Sequence, residues 1–311
     1  MIISASRRTD IPAFYSGWFV NRLREGYVLV PNPYDSRMLS RVKLTPDVVD
    51  CLVFWTKNPH PMLDKLDALR GYPYYFQYTL NPYGKEIETN LPPLEKRIET
   101  FKRLSDKIGK EKVIWRYDPV FTSAEYNVGF HREAFARIAH ALRDHTEKCT
   151  LGFIDPYPHI RKTIEAHGIH PLKPEEIEAT AVSFRNTLRP YPIELNTCTT
   201  KVNLAHLGIP GAPCIDGKLV ERLTGCAIQR KKDKNQREVC QCIESIDIGM
   251  YESCLHGCLY CYAIRGNGLA AGRNNRKHDP ASPLLIGTAG EGTHIKDREM
   301  KSLKTGQLRL L

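Results

Sequence analysis

Tyr74–Leu80 (YYFQYTL), Pro93–Ile108 (PLEKRIETFKRLSDKI) closed by Gly109, and Lys112–Arg116 (KVIWR) form one continuous strand–helix–strand reading. The outer runs are short, apolar and rich in aromatic and β-branched residues, as strands are. Between them Leu94, Ile98, Phe101, Leu104 and Ile108 recur at helical spacing with charged residues on the other face, and Gly109 is placed to end the helix. A helix joining two strands implies that they run parallel.

The same alternation extends in both directions. Further strands are expected over residues 1–6, 27–30, 51–56, 150–154, 193–197 and 245–248, and helices over 14–24, 61–69, 131–145 and 174–188, the last opening on Pro174 with Glu175 and Glu176. Eight strands alternating with helices suit a TIM-like (βα) barrel of the α/β class. Several strands end in polar residues followed by proline: Lys57-Asn58-Pro59, Asn81-Pro82, Asp118-Pro119 and Asp155-Pro156, with Glu194 and Asn196 near the last one. Parallel barrels gather their active sites at these carboxyl ends. Residues 1–265 are expected to form the barrel, including a cysteine-rich region at 198–262, and residues 266–311 a C-terminal extension, poorly structured or draped over the surface.

A chain of 311 residues with 41% hydrophobic content can bury a full core, which excludes disorder of the whole chain. Its net charge of +10 favours acidic partners, nucleic acid among them, although the basic residues are dispersed. There is no apolar run of the roughly 18 residues a membrane span needs, and Arg7 and Arg8 stand where a signal peptide would be apolar. A cytoplasmic protein without a membrane partner is therefore expected, and its ten cysteines are better read as metal or redox groups than as disulfides. Cys51 and Cys149 are isolated in strand-like runs and suit buried free thiols; the other eight lie between Cys198 and Cys261.

Within that region Cys254, Cys258 and Cys261 are spaced C-x3-C-x2-C, with Tyr260 before the third and Tyr262-Ala263 after it. Structural zinc takes four ligands, whereas three thiolates on one tight loop can hold three irons of a [4Fe-4S] cube and leave the fourth open. This segment resembles the signature of the radical S-adenosylmethionine enzymes, in particular the spore photoproduct lyase and DNA-repair-photolyase-like branch, which VFWTKNP, TLN and RYDPV upstream also echo. Over nearly its full length the chain resembles the DUF1848 family, sharing SRRTDIP, DKNQR, the C-x-C pair, DIG and the cysteine loop.

The radical-enzyme resemblance implies a partial or complete barrel. It also implies a cluster whose open iron chelates S-adenosylmethionine, reductive cleavage to a 5′-deoxyadenosyl radical acting on a substrate that the sequence leaves open, with a lyase reaction suggested by the photoproduct-lyase-like branch, and a one-electron donor such as a ferredoxin or flavodoxin. Carried over by position, Cys254, Cys258 and Cys261 bind the cluster and Tyr260 lies near the adenine. Those enzymes carry the cluster loop after their first strand, so its position here implies a circular permutation in which SIDIGMY (residues 245–251) supplies the preceding strand. Arg7 or Arg8, after the first strand, is the candidate for the methionyl carboxylate. Arg116, Asp118, Asn81, Glu194 and Asn196 are further candidates for cofactor contacts, and these residues with Lys57 and Asp155 are expected to converge on the cluster.

Four of Cys198, Cys214, Cys226, Cys240 and Cys242 could hold a second, auxiliary iron-sulfur cluster, or zinc, and the family resemblance implies Cys198, Cys214, Cys240 and Cys242. Cys226 is spare. No histidine is assigned, and phosphate-binding, serine-hydrolase and dinucleotide-binding motifs are absent from the sequence. A different class of protein, a zinc-stabilised nucleic-acid-binding barrel without redox activity, remains the alternative.

Overall fold

The computed structural model describes residues 1–35, 37–266 and 268–308, so the expected 266–311 extension reaches at 267 and 309–311 outside the described residues. Seven strands form one parallel sheet: β1 (Ile2–Ala5), β2 (Cys51–Thr56), β3 (Tyr74–Thr79), β4 (Val113–Val120), β5 (Lys148–Phe153), β6 (Glu194–Thr197) and β7 (Ile246–Asp247). Their order is β7-β1-β2-β3-β4-β5-β6, so β1 to β6 follow the chain and the last strand returns beside the first. The sheet is open, since its two edges, β6 and β7, do not pair with each other.

The helices between strands are amphipathic for local reasons. α1 (Leu94–Ile108) buries Ile98, Phe101 and Leu104 and stops at Gly109, whose φ of +96° suits glycine. α2 (Val128–Leu142) is capped by Asn127, which accepts from the Phe130 amide, and α3 (Pro174–Leu188) opens on its proline with the Glu176 carboxylate accepting from Lys173 N at 2.8 Å. These helices cover one face of the sheet. Phe54, Phe76, Trp115 and Leu151 pack there with Phe101, Phe135 and Phe184, the last two rings stacked with centroids 3.9 Å apart.

The other face is covered in part by the segment after β6, which includes the short helix Gly217–Thr224. Its lower part is apolar, with Ile2, Val53, Tyr75 and Ile114 packed on Cys214, Ile215, Val220, Cys240 and Cys242 from the segment after β6. That segment is fastened to the sheet by its backbone: the Tyr75 hydroxyl and the Gln77 amide both donate to Cys214 O, at 2.8 and 2.7 Å, and Ala212 N donates to Thr197 O at 2.8 Å.

Two expectations need correction. Tyr27–Pro31 is a strand but stands outside the central sheet, because it turns back to pair antiparallel with Met38–Lys43, whose buried Leu39 and Val42 break the alternation by which a strand is recognised. The residues after 265 are more ordered than expected. His294–Asp297 joins the strand Met38–Lys43, Lys304–Leu308 pairs with Cys226–Ile228, and Ser282 O accepts from the buried Trp18 indole at 2.9 Å. Among the described residues no helix is long and apolar enough to cross a membrane.

Candidate metal centres and active site

At the carboxyl end of β7 the Asp247 carboxylate accepts from Ser4 Oγ, Ser6 Oγ and Arg7 N at 2.9, 2.6 and 2.8 Å, which ties the exits of β7 and β1 together. A side chain on Gly249 would meet Ser6 Oγ at 2.0 Å, so the Asp-Ile-Gly run needs glycine for this close approach. The chain then enters the loop of Cys254, Cys258 and Cys261.

That loop sits over the carboxyl ends of β1, β2 and β3. His256 bonds Asp10 at 2.7 Å, the same Asp10 oxygen accepts from Lys57 N at 2.7 Å, and Leu259 N donates to Ile87 O at 3.0 Å. Gly257 turns the loop at φ +69°. Burial pushes the Cys254 thiol up to about 12 and Cys258 and Cys261 upward too, and the Cys258 sulfur feels both of the others. Lys57 works against the rise at Cys258 and Cys261, which makes it the nearby cation for thiolates here.

Tyr260 is held from beneath. Its hydroxyl meets the Glu88 carboxylate, Lys57 Nζ at 2.8 Å and Asn81 Nδ2 at 3.3 Å. Glu88, 1% exposed, also takes Lys57 Nζ at 2.7 Å and Arg97 Nη1 at 3.1 Å. Burial opposes its charge, but Lys57 and Arg97 more than offset that and hold its pKa below the ordinary range. Burial likewise opposes the Lys57 ammonium, which Glu88 and Cys258 nevertheless hold above its usual value.

A second group of thiols lies against the inner face of the sheet. Cys214 Sγ is 2.9 Å from Cys198 Sγ and accepts from Arg116 Nη1 at 2.7 Å, while Cys242 Sγ accepts from Ile215 N at 3.3 Å. Cys242 and Cys240 are buried in the same cluster as Cys214, with Cys198 packed against it. The hydrogen bond from Cys214 lowers Cys198 to about 7, and bonds from Cys214 and Cys240 hold Cys242 far below an ordinary thiol. Cys226 stands apart, in the strand paired with Lys304–Leu308. Cys198 and Cys214 bond to one another, and among the described residues no three His, Cys, Asp or Glu side chains stand where they could hold a metal ion.

Between the two groups, the guanidinium carbons of Arg7 and Arg116 lie 5.1 and 5.2 Å from the Trp55 ring centre. Arg116 pairs with Asp118, whose amide and carbonyl in turn bond the Asn81 side chain. Arg7 Nη2, Gln77 Oε1 and both amide atoms of the fully buried Asn196 have no hydrogen-bond partner among the described residues.

Lys57, Asn81, Arg7, Arg116, Asp118 and Asn196 lie at the carboxyl ends or on the inner face; Lys57 and Asn81 bond the Tyr260 hydroxyl and Arg7 O accepts from the Tyr262 hydroxyl, whereas Arg116 bonds Cys214 and Asp118. Glu194 does not: it is the first residue of β6, exposed at the amino end, where its backbone N donates to Glu147 O. Strand β6 is only four residues long and Glu194 opens it, so nearness to Asn196 in sequence does not carry it to the carboxyl end. Asp155 faces outward into ion pairs with Lys201 and Arg237 at 3.6 and 3.2 Å, and Arg8 lies over the Tyr251 ring. Glu88 was missed, because an acidic residue in a loop between two prolines reads as solvated.

The profile of a family described as "Domain of unknown function (DUF1848)" matches residues 2–263, and the chain belongs to that family. No curated protein matches it.

Proposed function

We propose that this member of the DUF1848 family is an iron-sulfur enzyme of the radical S-adenosylmethionine type, with Cys254, Cys258 and Cys261 as ligands of a [4Fe-4S] cluster. The observation that carries the reading is the seat of the three-thiol loop over the carboxyl ends of parallel strands, beside Lys57, Glu88, Asn81 and Tyr260. The donor set suits the group: three half-buried thiols on one loop would supply three irons, and the loop offers no fourth cysteine. When bound, such a cluster supplies the electron that cleaves S-adenosylmethionine to a 5′-deoxyadenosyl radical.

The chain's own residues then bind and orient. Glu88, Lys57 and Asn81 fix the Tyr260 ring, which presents an aromatic edge for the adenine. Arg7, with one buried amino group free, is the candidate for the methionyl carboxylate, and Asn196 and Gln77 offer unpaired amide atoms to the substrate. Arg116 and Asp118 form a fixed pair that lines the same face. Partial-barrel and permutation readings are supported by the parallel pairing of β7 with β1 immediately before the cysteine loop. A ferredoxin or flavodoxin of the cytoplasm is the proposed electron donor.

The test is to purify the protein without oxygen, reconstitute it with iron and sulfide, reduce it, and record its electron paramagnetic resonance with and without S-adenosylmethionine. A signal that changes with S-adenosylmethionine and vanishes when Cys254, Cys258 and Cys261 are changed to Ala supports the reading. A signal indifferent to S-adenosylmethionine, or zinc without iron, refutes it.

A further inference from the structure

We propose that Cys198 and Cys214 are a redox-sensitive pair, which a hydroperoxide reaching Cys198 joins as a reversible disulfide. This stands whether or not the 254–261 loop carries a cluster.

The reduced pair is already close to the geometry of the product. The Cys214 thiol donates to Cys198 Sγ at 2.9 Å, and a disulfide bond of about 2.05 Å requires the sulfurs to close by only about 0.9 Å. The backbone on each side is fixed where the bond needs it. Thr197 N donates to Pro210 O at 2.9 Å, Ala212 N to Thr197 O at 2.8 Å, and Cys198 N to Leu151 O at 3.0 Å. Cys214 O is held by the Tyr75 hydroxyl and the Gln77 amide. Two thiols tethered in this way meet each other before they meet any other partner.

Exposure and hydrogen bonding set the order of events. Cys198 is half-buried, whereas Cys214, Cys240 and Cys242 are buried, so an oxidant arriving from solvent reaches Cys198 first. The hydrogen bond from Cys214 favours Cys198 as the thiolate, and Arg116 Nη1, 2.7 Å from Cys214 Sγ, sets a cation beside the pair. The Cys198 thiolate attacks a peroxide oxygen: a sulfur–oxygen bond forms, the oxygen–oxygen bond breaks, and the departing hydroxide takes up the proton that Cys198 had released. The Cys214 sulfur then attacks the Cys198 sulfur: the disulfide forms, the sulfur–oxygen bond breaks, and the second hydroxide leaves as water with the Cys214 proton. With hydrogen peroxide, two thiols and one peroxide give one disulfide and two waters. The bond ties the end of β6 to the segment across the inner face, beside the Arg116–Asp118 pair that leads through Asn81 to Tyr260.

The test uses the full chain, purified without oxygen, its metal content measured, and treated with one equivalent of hydrogen peroxide. The remaining thiols are then alkylated and the digest is analysed by mass spectrometry. The expected result is a loss of two free thiols per chain, recovered as a peptide pair joined through Cys198 and Cys214 and separated again by dithiothreitol. Cys214→Ser should lose the joined pair and leave a sulfenic acid at Cys198 that a dimedone probe traps, whereas Cys226→Ser should keep the pair. The unchanged chain decides even if Cys214→Ser fails to fold. The proposal is overturned if Cys198 and Cys214 stay free after peroxide, if Cys198 is joined to a different cysteine, or if a bound metal shields both thiols from alkylation until a chelator removes it. None of these outcomes bears on the response of the 254–261 loop to S-adenosylmethionine, so the two readings fail separately.

Discussion

The two cysteine groups differ in how the chain assembles them. Cys254, Cys258 and Cys261 come from one turn, stand at the rim of the sheet, and face a lysine that is itself held by Glu88. Cys198, Cys214, Cys240 and Cys242 come from distant points, lie on the inner face, and face two arginines. The first group depends on local spacing and offers three ligands; the second depends on the folded sheet and offers four. That difference separates a group set by adjacent residues from one that exists only once the sheet has formed.

The strongest way to break this contrast is Cys258→Ser. It should reduce cluster iron to background after reconstitution while leaving the protein folded, as read by metal analysis and circular dichroism. If iron binding persists, the three-thiol loop is not the cluster site.

Next in size is the ion group beneath Tyr260. Glu88→Ala leaves Lys57 and Arg97 buried and unpaired, and breaking such a pair costs about 3–5 kcal/mol, measurable by urea unfolding. A loss below about 1 kcal/mol would mean that water already reaches the cations. Tyr260→Phe removes one hydroxyl from the same group and should cost about 1–3 kcal/mol in the same measurement.

The legibility of the molecule follows the same division between local and distant. α1 and α3 could be read because their apolar residues and caps repeat within a few turns, and the C-x3-C-x2-C loop because its chemistry lies in adjacent residues. The openness of the sheet, the diversion of Tyr27–Pro31 to Met38–Lys43, and the burial of Glu88 between Lys57 and Arg97 depend on partners far along the chain. Of the inner thiols only the Cys240-Gln241-Cys242 pair carried a local signal. The smallest expected effect comes from the misplaced residue: Glu194→Gln, at the exposed amino end of β6, should change stability by less than about 0.5 kcal/mol and leave the cluster signal unaltered.

The most direct test of the central claim is electron–nuclear double resonance on the reduced protein with S-adenosylmethionine isotopically labelled at its amino nitrogen. The account predicts a nuclear coupling from that nitrogen, because the iron left open by Cys254, Cys258 and Cys261 binds it. A reduced cluster that shows no coupling to the label would contradict the account.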